Sequence, residues 1–98
     1  MEDISIQEFK ERQASGEAMN VLDVREQWEY EEDNIGAKLI PLGDLPARHS
    51  EIMDWKEQEL IVHCKAGGRA SNAKKYLAAQ GFKNVRNLLG GITAYREA

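Results

Sequence analysis

The chain has 98 residues, enough for one modest hydrophobic core and too few for a second lobe, so residues 1–98 are expected to form a single domain. The net charge is −4, the basic residues form no run and aromatic content is 7%, which together argue against nucleic acid or an anionic membrane surface as partner. No apolar stretch approaches the roughly 18 residues that span a bilayer, and Glu2, Asp3, Glu8, Lys10 and Glu11 crowd the start, so the chain reads as cytoplasmic with no membrane role of its own.

Ser5-Ile6-Gln7-Glu8 has capping-box spacing and opens a short packing helix that Gly16 ends, with Ile6 and Phe9 on one face. Residues 20–24 are apolar enough for a buried strand, which leads through Arg25-Glu26 into a short helix carrying Trp28 and Tyr30. The acidic series Glu26, Glu29, Glu31, Glu32 and Asp33 reads as a solvated helix face. A strand over 38–40 stops at Pro41, a helix is expected over 47–53, and a third strand over 60–63. Ala70, Ala73, Tyr76 and Leu77 share one face of a helix that Gly81 stops; a last strand over 84–89, a Gly90-Gly91 turn and a closing helix over 92–96 complete the chain. Strands alternating with helices imply an α/β fold with a largely parallel sheet, in which ligands gather at the carboxyl ends of strands. Arg25 and Cys64 both fall at such ends.

The segment from Ile61 to Ser71 joins an apolar strand to a helix through Cys64-Lys65-Ala66-Gly67-Gly68-Arg69, and Cys64 is the only cysteine. An internal disulfide is therefore impossible. The two glycines let the backbone curl with its N–H groups inward, and the helix presents its positive end to the same space, so a sulfur placed there is expected to be held as a thiolate beside Lys65 and Arg69. Four residues separate Cys64 from Arg69, one fewer than in the loop of tyrosine phosphatases, and the tighter ring better matches one sulfur atom than a phosphoryl group. His63 is not expected to share in catalysis, because successive strand side chains face opposite ways. His49 has no neighbouring ligand pattern, and no metal site is expected.

Several segments in order resemble the single-domain rhodaneses, the thiosulfate sulfurtransferase family. They are Val21-Leu22-Asp23-Val24-Arg25-Glu26 with Trp28-Glu29-Tyr30, then Ile35 to Leu42, the Cys64 loop, Gly81-Phe82-Lys83-Asn84-Val85 and Leu89-Gly90-Gly91-Ile92. The resemblance implies a rhodanese-like five-stranded parallel sheet with helices on both faces. It also implies a double displacement: Cys64 takes a sulfane sulfur from a small anionic donor such as thiosulfate, and a thiol, protein or cyanide acceptor removes it. The covalent persulfide on Cys64 would serve in place of any cofactor. Lys65, Ala66, Gly67, Gly68 and Arg69 would bind the sulfur, Arg69 would anchor the loop or meet the donor, and Asp23 and Arg25 would brace the loop from the next strand end. The chain departs from the family at Asp33-Asn34-Ile35-Gly36-Ala37, where Asn34 replaces a frequent histidine and one residue is absent, and at Tyr95, where tryptophan is frequent. A phosphatase or arsenate reductase, and a binding module that uses the fold only to dock, are the competing readings.

Overall fold

Short apolar runs alternate with helices, and the strands they form pair in parallel. The computed structural model describes residues 2–98; Met1, the first residue of the expected unit, lies outside them. In chain order the elements are α1 (Ile6–Ala14), β1 (Val21–Asp23), α2 (Gln27–Glu32), β2 (Lys38–Leu39), α3 (Leu45–Arg48) between two 3-10 turns (Leu42–Asp44 and His49–Trp55), β3 (Glu59–His63), α4 (Gly68–Ala79), β4 (Asn84–Asn87) and α5 (Gly91–Glu97). The sheet order is β2-β1-β3-β4, with every pairing parallel, so β1 and β3 lie at its centre.

Period-two alternation on β3 sorts its side chains between two cores. Leu60 and Val62 pack with Leu22, Ile40, Ala73, Leu77 and Val85 on one face, while Ile61 packs with Ile4, Phe9 and Leu88 on the other. Cys64 continues the first series and belongs to the larger core. The separation expected for His63 and Cys64 follows from this alternation.

Among the described residues four strands form the sheet, where five are expected from the family resemblance. The amino-terminal segment contributes a single bridge, Ile4 to Leu88, in which the Ile4 N–H donates to Asn87 O and the Leu89 N–H donates to Ile4 O, each at 3.0 Å. Ser5 already caps α1 through the Glu8 N–H at 3.0 Å, so the chain turns helical after one paired residue. The helix expected over 47–53 is instead a succession of short turns. Pro46 suits the first turn of α3, and Ile52 leaves helical geometry at φ −118°, ψ 21° with its side chain in the larger core.

The departure at residues 33–37 is a local solution to a turn. The Asn34 side chain donates to Tyr30 O at 3.0 Å and accepts the Gly36 N–H at 2.9 Å, and Gly36 takes φ +82°. Asparagine thus closes the turn with its own amide. Tyr95 is half-buried, packs edge-on against Phe9 at 5.9 Å and donates to Gln13 Oε1 at 2.8 Å.

Candidate functional site

Cys64 follows the end of β3 and its sulfur lies where the cysteine loop turns into α4. The Gly67 N–H donates to Sγ at 3.0 Å and the Ala70 N–H approaches it at 3.4 Å. Gly67 adopts φ +122°, a conformation that side-chain-bearing residues rarely take, and this turns its N–H inward. Gly68 and Arg69 occupy the first turn of α4, where helix amides have no intrahelical partner. The sulfur therefore faces backbone donors and the positive end of the helix, which would favour a negative charge placed there.

The carbonyls of the same loop are held on its other side. Cys64 O accepts the Ile92 N–H at 2.9 Å and Lys65 O accepts the Thr93 N–H at 3.1 Å, so the start of α5 clamps the loop with its own unused amides. Close approach requires glycine here: a Cβ on Gly91 would lie 2.4 Å from Cys64 O and 2.5 Å from Lys65 O. The loop is thus sided, with carbonyls toward α5 and the Gly67 and Ala70 amides toward sulfur.

Arg69 points to α2. Its Nη1 and Nη2 donate to Glu29 Oε1 and Oε2 at 2.6 and 2.9 Å, and Oε1 also accepts the Glu26 N–H at 2.9 Å. Arg69, followed by the Glu26 backbone, lowers the Glu29 carboxyl from the usual 4.5 to about 2, burial opposing both. Of the two roles open to Arg69, this geometry supplies the anchor.

Asp23 and Arg25 form a buried pair at the neighbouring strand end. Arg25 Nη2 donates to Asp23 Oδ2 at 2.9 Å and to Asp33 O at 2.7 Å, while the Arg25 N–H donates to Asp23 Oδ1 at 3.0 Å. Their hydrogen bonds join β1 to the end of α2, and Arg25 lines the same hollow as Lys65, while the hydrogen bonds that hold the loop come from Glu29 and α5. His63 Nε2 lies 3.6 Å from Asp23 Oδ2 on the face opposite the sulfur, and burial pushes its imidazole below the usual 6.5 despite the nearby Asp23.

A hollow of about 300 Å³ opens beside the loop, lined by Trp28, Glu29, Glu32, Lys65, Thr93 and Arg96 among others. Trp28 is 63% exposed at this rim. A larger hollow of about 370 Å³ lined by Phe9, Met19, Ile35 and Trp55 contains no residue of the loop. Cys64 itself is 1% exposed, whereas Lys65, Ala66 and Gly68 are exposed around it.

The Rhodanese-like domain family model matches residues 5–98. The chain belongs to the rhodanese family. It is 38% identical over 91 residues to YrkF of Bacillus subtilis, covering 92% of this chain and 48% of that protein, and so spans about half the length of that relative. It is 33% identical over 94 residues to a protein named sulfurtransferase from Allochromatium vinosum, covering 95% of this chain and 86% of the other. The solution structure of the rhodanese-like domain of Alr3790 from Anabaena sp. superposes with a TM-score of 0.87 at 30% identity, over 97% of this chain and 73% of that one.

Within this rhodanese fold, two parts of the loop's support escaped the sequence reading. The acidic run puts Glu29 on a solvated helix face, yet it is buried against Arg69. Its signal is the three-residue spacing from Glu26, which lets its carboxylate cap α2 and so turns it inward. Gly91 was read as part of a turn; its signal is the doubled glycine immediately before a helix. The remaining acidic residues include Asp33, which pairs with Arg96 at 2.7 Å. His49 packs on Tyr76, with Nδ1 3.2 Å from the hydroxyl oxygen. Among the described residues, no group of three or more His, Cys, Asp or Glu side chains is placed to hold a metal ion, and no helix is long and apolar enough to cross a membrane.

Proposed function

We propose that the protein is a sulfurtransferase working through a Cys64 persulfide. The observation that carries this reading is the pair of backbone amides, from Gly67 and Ala70, directed at the cysteine sulfur inside a loop of four intervening residues. Relatives named for sulfur transfer support the class of reaction.

In the first half-reaction the Cys64 thiolate attacks the outer sulfur of thiosulfate. The new S–S bond forms as the donor's own S–S bond breaks, and sulfite leaves with the electron pair and its two negative charges. The persulfide keeps one negative charge on its terminal sulfur, for which the amides of Gly68 and Arg69, in the first turn of α4, would be donors. In the second half-reaction a thiolate or cyanide attacks that terminal sulfur, giving a persulfide or thiocyanate and returning the Cys64 thiolate. No external oxidant or reductant is needed. Lys65, exposed at the rim of the neighbouring hollow, supplies a cation for an anionic donor.

Incubation with thiosulfate should add the mass of one sulfur atom to Cys64, reversibly with reductant, and Cys64→Ser should abolish thiocyanate formation from cyanide. Turnover retained by that variant would overturn the proposal. Hydrolysis of a phosphate ester without sulfur loading would instead favour phosphatase chemistry.

A further inference from the structure

Asn87 ends β4 with 7% of its surface exposed. Its Nδ2 donates to Gly67 O at 3.1 Å, and the same oxygen accepts the Ser71 N–H at 2.9 Å. Its Oδ1 is buried and meets no partner among the described residues. A buried amide oxygen left unpaired is destabilising, and an apolar side chain of similar size would avoid that cost. Val85, two residues earlier on the same face of β4, packs in the larger core, so packing alone does not call for a polar residue at position 87.

The explanation lies in what Nδ2 holds. Gly67 has no side chain, sits at φ +122°, and is free to pivot as no other residue type is; among the described residues, its chain neighbours aside, the Asn87 amide nitrogen is the one atom within 4 Å of where its Cβ would be. One bond from Ser71 fixes the Gly67 carbonyl along the α4 axis. A second from Asn87 fixes the peptide plane between Gly67 and Gly68, which includes the Gly67 Cα; the Gly67 N–H lies in the preceding plane, one φ rotation away from that Cα.

Resting on the sulfurtransferase reading, we infer that Asn87 is a positioning residue for sulfur loading: by holding the Gly67 carbonyl it fixes the Gly67 Cα and limits the backbone rotation that would carry the Gly67 N–H off the Cys64 sulfur. It touches neither sulfur nor donor. The strand accepts an unpaired buried oxygen at this position, and the loop gains a fixed donor.

The test uses Asn87→Leu, which removes both the Nδ2 donor and the orphaned oxygen, with Asn87→Ala and Asn87→Ser beside it. Three quantities are read: the melting temperature, the rate at which thiosulfate adds sulfur mass to Cys64, and the amide resonance and hydrogen exchange of Gly67. Asn87→Leu should melt at or above the wild-type temperature yet load sulfur about tenfold more slowly. The Gly67 amide should shift and exchange faster while the Ala70 amide, held by the helix, stays in place. Asn87→Ser, which keeps a donor, should recover part of the rate. Wild-type loading in Asn87→Leu, or an unmoved Gly67 amide, would overturn the inference; should Asn87→Leu fail to fold, the same readings on Asn87→Ala decide it. If the wild-type protein takes no sulfur from thiosulfate, the sulfurtransferase reading fails, and the Gly67 amide still reports whether Asn87 holds the loop.

Discussion

Arg69 and Glu29 close on each other fork to fork, 40 residues apart in the chain, so that the last residue of the cysteine loop is fastened to α2. Glu29→Gln preserves shape but removes the charge. Because Arg69 is partly exposed, the expected loss is about 1–2 kcal/mol in urea denaturation at neutral pH, with sulfur loading several-fold slower. Glu29 titrates near 2 in the fold against the usual 4.5, so its contribution is complete above 4.5 and is lost as pH falls toward 2. The gap between wild type and variant should therefore narrow steadily from about pH 5 to about pH 3. A gap of constant size across that range would contradict the assignment.

His63 should set a second, milder acid dependence. Burial keeps its imidazole neutral in the fold to lower pH than in the unfolded chain, where it charges near 6.5. Stability is thus unaffected above 6.5 and declines as pH drops through that value, by at most about 1.4 kcal/mol per pH unit for one proton. His63→Gln should flatten the stability profile between about pH 6.5 and about pH 5.5, measured by denaturant titration. An unchanged slope would show that another group is responsible.

Gly91 and Gly43 make a matched comparison. An added Cβ at Gly91 would press on the Cys64 and Lys65 carbonyls at φ +60°, whereas at Gly43 nothing lies within 4 Å. Gly91→Ala should cost about 3 kcal/mol or more and abolish loading, and Gly43→Ala should stay within about 0.5 kcal/mol of wild type. Thermal melts of the two variants check this directly.

Access to the thiol should depend on reagent size. With Cys64 1% exposed beneath an exposed rim, a compact reagent such as methyl methanethiosulfonate should modify it about tenfold faster, relative to the unfolded chain, than a bulky maleimide does. Equal protection against both would mean that the sulfur is reached by opening of the fold and not through the loop mouth.

Features written in local chemistry were legible in the sequence. The strand, glycine pair and helix around Cys64 form a contiguous signal, and the apolar period on β3 by itself puts His63 and Cys64 on opposite faces. What stayed hidden depends on partners distant in the chain. Glu29 looks like any member of an acidic run until Arg69 is brought beside it, and the Gly90-Gly91 pair reads as a turn until the loop carbonyls meet it. The fifth strand was expected from family resemblance; Ser5, by capping a helix so early, leaves only Ile4 to pair. The helix expected over 47–53 breaks at Ile52, which leaves helical geometry with its side chain in the larger core.

The grip of the Ile92 and Thr93 amides on the Cys64 and Lys65 carbonyls has a bearing on biosynthesis. A ribosome delivers Cys64 well before it delivers the residues that hold its loop. Until position 93 has emerged, the nascent thiol lacks its finished cradle, so the chemistry should switch on only as the newly made chain closes over itself.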